Sequence, residues 1–216
     1  HALALLLSVV RRTAAFDREI RAEKWDWMEA IPLQRLGGKT VGFAGFGKIA
    51  HNLLKKMQGF DVDFVAYDPY LSGKEVAEFG AEKLSFDEFV GAVDIVSVHT
   101  PLTEETAGLF DASVFERMDD SAVLVNTSRG GVVDIEALSQ AVESGEIYGA
   151  GLDVLPHEPP EAGEIVDHDR IVYTPHVGWY SEEAMAELRQ TAISGILDVL
   201  NGEEPANRVN TLGKNS

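Results

Sequence analysis

Short apolar runs rich in β-branched residues alternate along the chain with stretches of helical character. These runs are residues 40–44, 62–67, 94–98, 122–126, 150–153 and 170–173. Such alternation is typical of βαβ units, and strands this apolar need helices on both faces of the sheet. Because crossovers between parallel strands are right-handed, the pattern predicts an α/β fold with a doubly wound parallel sheet.

The stretches between the runs carry helix signals at their ends. Predicted helices cover residues 48–58, 86–91, 112–118 and 134–144, and Ser85 with Glu88 has the spacing of a capping box. The apolar N-terminal segment is too short to cross a bilayer and predicts a buried amphipathic helix that continues through Arg21. Ser181 is the expected N-cap of a long final helix that runs to about Leu200.

The net charge of the chain restricts the kinds of partner that it can bind. The 216 residues include 18 Lys and Arg against 36 Asp and Glu, a net charge of −18, with 45% hydrophobic residues. The apolar fraction suits a globular chain with a sizeable core, and the negative charge argues against nucleic acid and anionic membranes as partners. We expect a soluble cytoplasmic protein, and the same charge also fits a salt-adapted organism.

Metal chemistry has little support in the sequence. Cysteine is absent, which excludes disulfides, thiolate metal ligands and a cysteine nucleophile. The pair His157 and Glu158 lacks the second histidine of a zinc-binding helix. We therefore expect no metal.

A glycine-rich turn follows the first predicted strand. Residues 45–50 read GFGKIA, the G-x-G-x-x-A form, in which Gly45 permits the tight turn and Gly47 lets backbone N–H groups approach a pyrophosphate. Asp68 lies 23 residues after Gly45 at the end of the second strand, where a carboxylate accepts hydrogen bonds from the ribose hydroxyls of NAD and repels the 2′-phosphate of NADP. The combination predicts a Rossmann-type dinucleotide-binding domain that prefers NAD.

Three later strands are followed by residues with acid–base or cationic side chains. Arg129 follows the fourth predicted strand, Glu158 the fifth and His176 the sixth. Carboxyl ends of parallel strands share one edge of the sheet, so these side chains are expected near one another. Hydride transfer between a nicotinamide and a 2-hydroxy or 2-oxo acid needs a cation for the substrate carboxylate and carbonyl. It also needs an acid–base group, and a carboxylate that orients this group.

The segments VGFAGFGKIA, VAYDPY, VHTPLTEETAGLF, LVNTSRGGVVD, GLDVLPHEPP and TPHVGWYSEEA resemble the D-isomer-specific 2-hydroxyacid dehydrogenase family over nearly the whole chain. This resemblance implies that Arg129 binds substrate, that His176 is the general acid–base and that Glu158 pairs with it. It also implies Asp153 beside the nicotinamide carboxamide. The full set of cofactor contacts that we expect is Gly45, Phe46, Gly47, Lys48, Ile49, Asp68, Thr100, Pro101, Thr127, Ser128, Arg129, Asp153, His176 and Gly178.

One stretch departs from the commoner family pattern. Residues 178–181 place Trp179 where most members have small residues, and with residues 68–72 this is similar to the C-terminal-binding-protein branch. That similarity implies that Trp179 borders the substrate pocket. It also leaves two functions open: an NAD-dependent dehydrogenase of a small 2-hydroxy or 2-oxo acid, or an NAD(H)-sensing scaffold that resembles a corepressor.

The family resemblance has consequences for domain organisation. We expect residues 1–180 to form the dinucleotide-binding domain and residues 181–216 to form a helix and tail that pack toward a second, substrate-binding domain. That domain is expected to be largely absent from this chain, so the 216 residues alone should bind NAD and turn over poorly. The resemblance also suggests a homodimer, for which residues 25–33, with Trp25 and Trp27, would supply an arm; alternatively, both tryptophans pack on their own core.

Overall fold

The computed structural model describes residues 1–28, 31–161, 165 and 167–209. Within these residues, seven parallel strands form one sheet in the order β3-β2-β1-β4-β5-β6-β7. The predicted doubly wound sheet is therefore confirmed, and the order reverses between β1 and β4. The strands are β1 (Thr40–Ala44), β2 (Asp63–Tyr67), β3 (Glu82–Lys83), β4 (Ile95–Val98), β5 (Val123–Asn126), β6 (Gly149–Leu152) and β7 (Ile171–Tyr173).

Helices cover both faces of this sheet. Helices α1, α3 and α4 pack on one face around Phe43, and α5, α6 and α7 pack on the other around Leu124. The helices are α1 (Ala2–Arg11), α2 (Thr13–Arg21), α3 (Lys48–Met57), α4 (Gly73–Ala77), α5 (Phe86–Ala92), α6 (Ala112–Phe115), α7 (Ile135–Ser144) and α8 (Glu182–Leu200). Short 3-10 turns cover Gln58–Phe60 and Gly130–Val132.

The predicted helix ends agree with the observed hydrogen bonds. The Ser85 hydroxyl accepts a bond from the Glu88 N–H while the Glu88 carboxylate accepts one from the Ser85 N–H, so the capping box is present. The Ser181 hydroxyl accepts a bond from the Ala184 N–H at 3.0 Å, which confirms Ser181 as the N-cap of α8. Both caps satisfy backbone donors that the first helical turn leaves free.

The N-terminal helix differs from its prediction. Instead of one helix through Arg21, α1 and α2 meet at Arg12, whose φ of 49° is left-handed. Arg12 is buried, and its guanidinium lies 3.4 Å from the Asp169 carboxylate. The sequence pattern also missed β3 and α4, because β3 is two polar residues at the sheet edge and α4 is only five residues long.

The chain divides into two compact units, His1–Gly178 and Trp179–Ser216. The first contains the sheet and α1–α7. In the second, the long helix α8 has no buried residue, and a groove of about 870 Å³ lies beside it, partly lined by Leu188, Ile196 and Pro205. No helix in the described part of the chain combines the length and the apolar character that crossing a membrane requires. The predicted division at residue 180 stays a prediction.

Candidate cofactor and catalytic site

The glycine-rich turn lies against the end of β4, across the point where the strand order reverses. Gly45 has a φ of +86°, and a Cβ there would lie 2.8 Å from the Thr100 backbone nitrogen. Gly45 donates its N–H to the Tyr67 carbonyl at 2.8 Å, which ties the turn to the end of β2. Both the left-handed backbone and the close approach require glycine at this position.

Gly47 is the N-cap of α3 and supplies no side-chain cap. A Cβ on Gly47 would meet no atom within 4 Å, so the space in front of the first turn of α3 is open. Ile49 and Lys48 are exposed beside it. Uncapped N–H groups at a helix N-terminus in open space favour an anion, and the pyrophosphate of NAD fits this position.

Asp68 links the glycine-rich turn to the loop after β2. One carboxylate oxygen accepts a hydrogen bond from the Phe46 N–H and the other accepts one from the Tyr70 N–H, both at 2.9 Å. The side chain is only partly buried. Each oxygen can accept a second hydrogen bond, so Asp68 has capacity left for ribose hydroxyls, and the predicted contact with them stays a prediction.

Thr100 and His99 lie beyond the end of β4, next to Gly45. Thr100 is 6% exposed, and its buried hydroxyl has no hydrogen-bond partner among the described residues. Pro101 follows it and is exposed. A buried hydroxyl without a partner is costly, so a ligand that reaches Thr100 beside Gly45 would satisfy it.

His99 is unsuited to acid–base work. Its Nε2 lies 2.9 Å from the Ser97 hydroxyl, and burial lowers the pKa of His99 to about 4. The imidazole is therefore neutral at neutral pH and does not exchange a proton there. This leaves His176 as the stronger candidate at this edge.

The loop after β5 is shaped by Asn126, a residue to which sequence reasoning assigned no role at the site. The buried Asn126 side chain accepts bonds from the N–H and hydroxyl of Ser128 at 3.0 and 3.1 Å and donates one to the Arg129 carbonyl at 2.9 Å. Thr127 and Ser128 are half-buried, and Arg129 is exposed. An asparagine directly after a buried strand is a recognisable turn signal that could have identified this role.

Gly130 brings the loops after β5 and β6 together. A Cβ on Gly130 would lie 2.0 Å from the Leu155 carbonyl carbon. Leu155 in turn donates its N–H to the Glu158 carboxylate at 3.1 Å. A continuous set of contacts therefore runs from the loop that carries Arg129 to Glu158.

His176 and Glu158 form a direct pair. The Nδ1 of His176 lies 2.5 Å from the Glu158 carboxylate, and both side chains are more than a third exposed. With Nδ1 engaged by Glu158, Nε2 is the ring nitrogen left to exchange a proton with a ligand. His176 has a φ of 50°, a left-handed conformation that a non-glycine residue adopts only when its surroundings hold it there.

Hydrogen bonds to Asp153 stabilise the left-handed backbone of the turn that contains His176. Asp153 is 2% exposed, and its carboxylate accepts bonds from the Thr174 hydroxyl at 2.5 Å, the Val177 N–H at 2.9 Å and the Gly178 N–H at 2.8 Å. The Asp153 carbonyl accepts the His176 N–H at 2.7 Å. Asp153 thus organises the turn around His176, and its predicted contact with the nicotinamide stays a prediction.

Two other predictions concern Trp179 and metal. Trp179 belongs to the second unit, is exposed and stacks edge-on with Tyr180 at 5.5 Å between ring centroids. Its place beside substrate stays a prediction.

Across the described ranges, no three His, Asp or Glu side chains come together as a group that could hold a metal ion.

The chain matches a known protein family over most of its length. The family described as "D-isomer specific 2-hydroxyacid dehydrogenase, NAD binding domain" matches residues 3–178. This range contains the glycine-rich turn, Asp68 and the His176–Glu158 pair, and it ends at the boundary of the first compact unit.

Individual relatives agree with this match. The chain is 33% identical over 211 residues to D-3-phosphoglycerate dehydrogenase of Archaeoglobus fulgidus, covering 97% of this chain and 40% of the relative. It is 37% identical over 215 residues to glyoxylate reductase of Thermococcus litoralis, covering 97% and 65%. The chain therefore spans about two fifths of the first of these relatives and about two thirds of the second.

A solved structure supports the fold and the cofactor. The NAD-complexed form of a D-isomer-specific 2-hydroxyacid dehydrogenase from Lactobacillus delbrueckii ssp. bulgaricus superposes with a TM-score of 0.83 at 27% identity, covering 97% of this chain and 67% of that one. The similarity to the C-terminal-binding-protein branch stays a prediction, because these relatives carry other names.

Proposed function

Because the chain belongs to the D-isomer-specific 2-hydroxyacid dehydrogenase family and residues 3–178 are its NAD-binding domain, we propose that the whole protein is an NAD-dependent oxidoreductase. It would transfer a hydride between the nicotinamide and a small acid, interconverting a D-2-hydroxy acid and the corresponding 2-oxo acid. The observation that carries this proposal is the His176–Glu158 pair, 2.5 Å apart at the sheet edge that also bears the glycine-rich turn.

Each residue of the pair has a defined task in this proposal. NAD, when bound, supplies the nicotinamide carbon that accepts or gives the hydride. In reduction, the Nε2 of His176 donates the proton that the carbonyl oxygen acquires, and in oxidation it takes the proton of the hydroxyl group. Glu158 holds Nδ1, so the ring keeps one orientation and presents Nε2 to the substrate.

Arg129 is the proposed substrate-binding cation. Its exposed guanidinium has one nitrogen 2.6 Å from the Ser128 carbonyl, and its remaining N–H groups can bind a carboxylate and a carbonyl oxygen. A cation there would also stabilise the negative charge that develops on the carbonyl oxygen during reduction. This arrangement suits a 2-oxo acid, in which both acceptors lie on adjacent carbons.

The alternative, an NAD(H)-sensing scaffold, is less favoured. The relatives are named as a dehydrogenase and a reductase, and a protein that only recruits partners need not retain the His176–Glu158 pair together with Arg129. A proton-exchanging histidine with a carboxylate partner, and an arginine on the same sheet edge, are groups that a dehydrogenase needs.

The decisive experiment measures NADH consumption by the full-length protein with a panel of 2-oxo acids: glyoxylate, pyruvate and phosphorylated three-carbon acids. We expect turnover with at least one of them. Tight NADH binding without turnover of any acid would favour the scaffold and refute the proposal. The 216-residue chain serves as a comparison, and we expect it to bind NADH with little turnover.

A homodimer is proposed as the assembly. Trp25 is 90% exposed and Trp27 is 69% exposed, with Met28 and Ile31 exposed beside them, so neither tryptophan is buried in its own core. Clustered large apolar side chains on a surface favour a protein partner. We expect a dimer in sedimentation velocity at micromolar concentration, and a monomer when Trp25 and Trp27 are both replaced by Asp. A monomeric unmodified protein would contradict this assembly.

The second compact unit is proposed to pack toward a substrate domain. Helix α8 leaves large apolar side chains exposed along its length: Leu188, Ile193, Ile196, Leu197, Val199 and Leu200. A helix of this kind gains stability by covering its apolar side chains with another domain. Such a domain would also shield the site from water during hydride transfer.

A further inference from the structure

His1 lies at the N-terminus of α1 and reaches the turn that carries His176. Its Nε2 is 2.9 Å from the Thr174 hydroxyl and 3.2 Å from the Asp153 carboxylate. The His1 side chain is about a quarter exposed, whereas the Asp153 side chain is almost fully buried. These contacts join residues 173 positions apart in the chain, and neither the motifs nor the family resemblance drew attention to His1.

The helix that carries His1 is held firmly. Leu5, Leu6, Val9 and Val10 of α1 are buried in the core. A Cβ on Gly151 of β6 would lie 3.0 Å from the Leu5 Cβ, so α1 rests directly on the sheet. A side chain anchored on such a helix has little freedom to move relative to β6 and the residues that follow it.

The hydrogen bonds have a defined direction. The Thr174 hydroxyl donates its only proton to Asp153, so its oxygen is free to accept a bond from His1. His1 therefore acts through Nε2–H, and the bonds run from His1 through Thr174 to Asp153. Asp153 then accepts the N–H groups of Val177 and Gly178, which flank the left-handed residue His176 on its C-terminal side.

We propose that His1 is a positioning residue that, through Thr174 and Asp153, holds the turn on which His176 is presented. The expected effect on kcat rests on the proposed function, whereas the stabilisation of the turn does not. Without the His1 donor, Asp153 keeps its bonds to the turn but loses the contact that fixes it and Thr174 from the α1 side. The turn then samples conformations in which His176 is misplaced for proton transfer.

The test compares two variants of the full-length protein. His1→Leu keeps the approximate volume and removes the donor, whereas His1→Gln retains an N–H near the position of Nε2. We expect His1→Leu to lower kcat by roughly 10- to 100-fold with a much smaller change in KM, and His1→Gln to restore most of it. A purely structural role in α1 would not separate kcat from KM or be rescued by Gln.

A second readout does not depend on activity. Backbone hydrogen exchange at Val177 and Gly178, which bond to Asp153, should accelerate in His1→Leu and return toward the original rate in His1→Gln. The Ala150 amide in β6 serves as an internal reference and should not change. Unchanged exchange at both amides overturns the inference, and so does faster exchange with unaltered kcat.

The two proposals fail in distinguishable ways. If the unmodified protein turns over no 2-oxo acid, the proposed function fails, and hydrogen exchange alone then decides whether His1 holds the turn. If the unmodified protein is active and His1→Leu leaves both kcat and exchange unchanged, only the inference about His1 fails.

Discussion

Replacement of His176 by Gln in the full-length protein should lower kcat by about 10²- to 10⁴-fold, the contribution that a positioned general acid–base group makes. Glutamine can still donate a hydrogen bond to Glu158 but has no proton to exchange with the substrate oxygen. Affinity for NADH should fall far less than kcat, because the glycine-rich turn, Asp68 and Thr100 are untouched. The loss is measured from initial rates with saturating NADH and the best 2-oxo acid.

A matched control uses another histidine of the same chain. His168 accepts the Arg170 N–H through Nδ1 just before β7 begins, at the opposite end of that strand from His176. His168→Gln should therefore leave kcat close to that of the unmodified protein. If His176→Gln retained a third of the original kcat, His176 would not be the acid–base group.

Replacement of Gly130 by Ala should be among the most disruptive glycine-to-alanine changes at the glycines that the structure describes. The new Cβ would lie 2.0 Å from the Leu155 carbonyl carbon and 2.4 Å from the Pro156 nitrogen, so backbone must move. We expect a loss of about 3 kcal/mol or more in the free energy of unfolding, the upper end of typical overpacking costs. Urea denaturation of the 216-residue chain measures it directly.

Gly130→Ala should also increase the distance between Arg129, the proposed substrate-binding cation, and the His176–Glu158 pair. Gly130 adjoins Arg129, and Leu155 bonds to Glu158, so pushing these loops apart displaces Arg129 from Glu158 and His176. Gly91→Ala is the control, since a Cβ at Gly91 in α5 meets open space and should stabilise the helix by about 0.5–1 kcal/mol. Equal unfolding midpoints for the two variants would contradict the close packing at Gly130.

The strands were predictable because a parallel sheet covered on both faces requires continuous apolar runs. Five of the six predicted strands differ from the observed ones by one residue at one or both ends, and the first agrees at both ends. The strand β3 was missed because Glu82 and Lys83 lie at the sheet edge, where burial imposes no apolar pattern. The break at Arg12 was missed because it is accompanied by an ion pair between the buried Arg12 and the half-exposed Asp169, which is distant in sequence.

In the candidate site, too, local features could be predicted from the sequence, whereas contacts between distant segments could not. Spacing along the chain selects Gly45, Gly47 and Asp68 as candidates for cofactor binding, because local turns obey short-range geometric rules. Parallel strands end at one edge of the sheet, and this rule places the loops that carry Arg129, Glu158 and His176 there. Contacts between distant segments follow no such rule. Three features depend on such contacts: the bonds of His1 to Thr174 and Asp153, the close approach of Gly130 to the Leu155 backbone, and the Thr100 hydroxyl, which has no partner in the described part of the chain. They become defined only when the whole domain has packed.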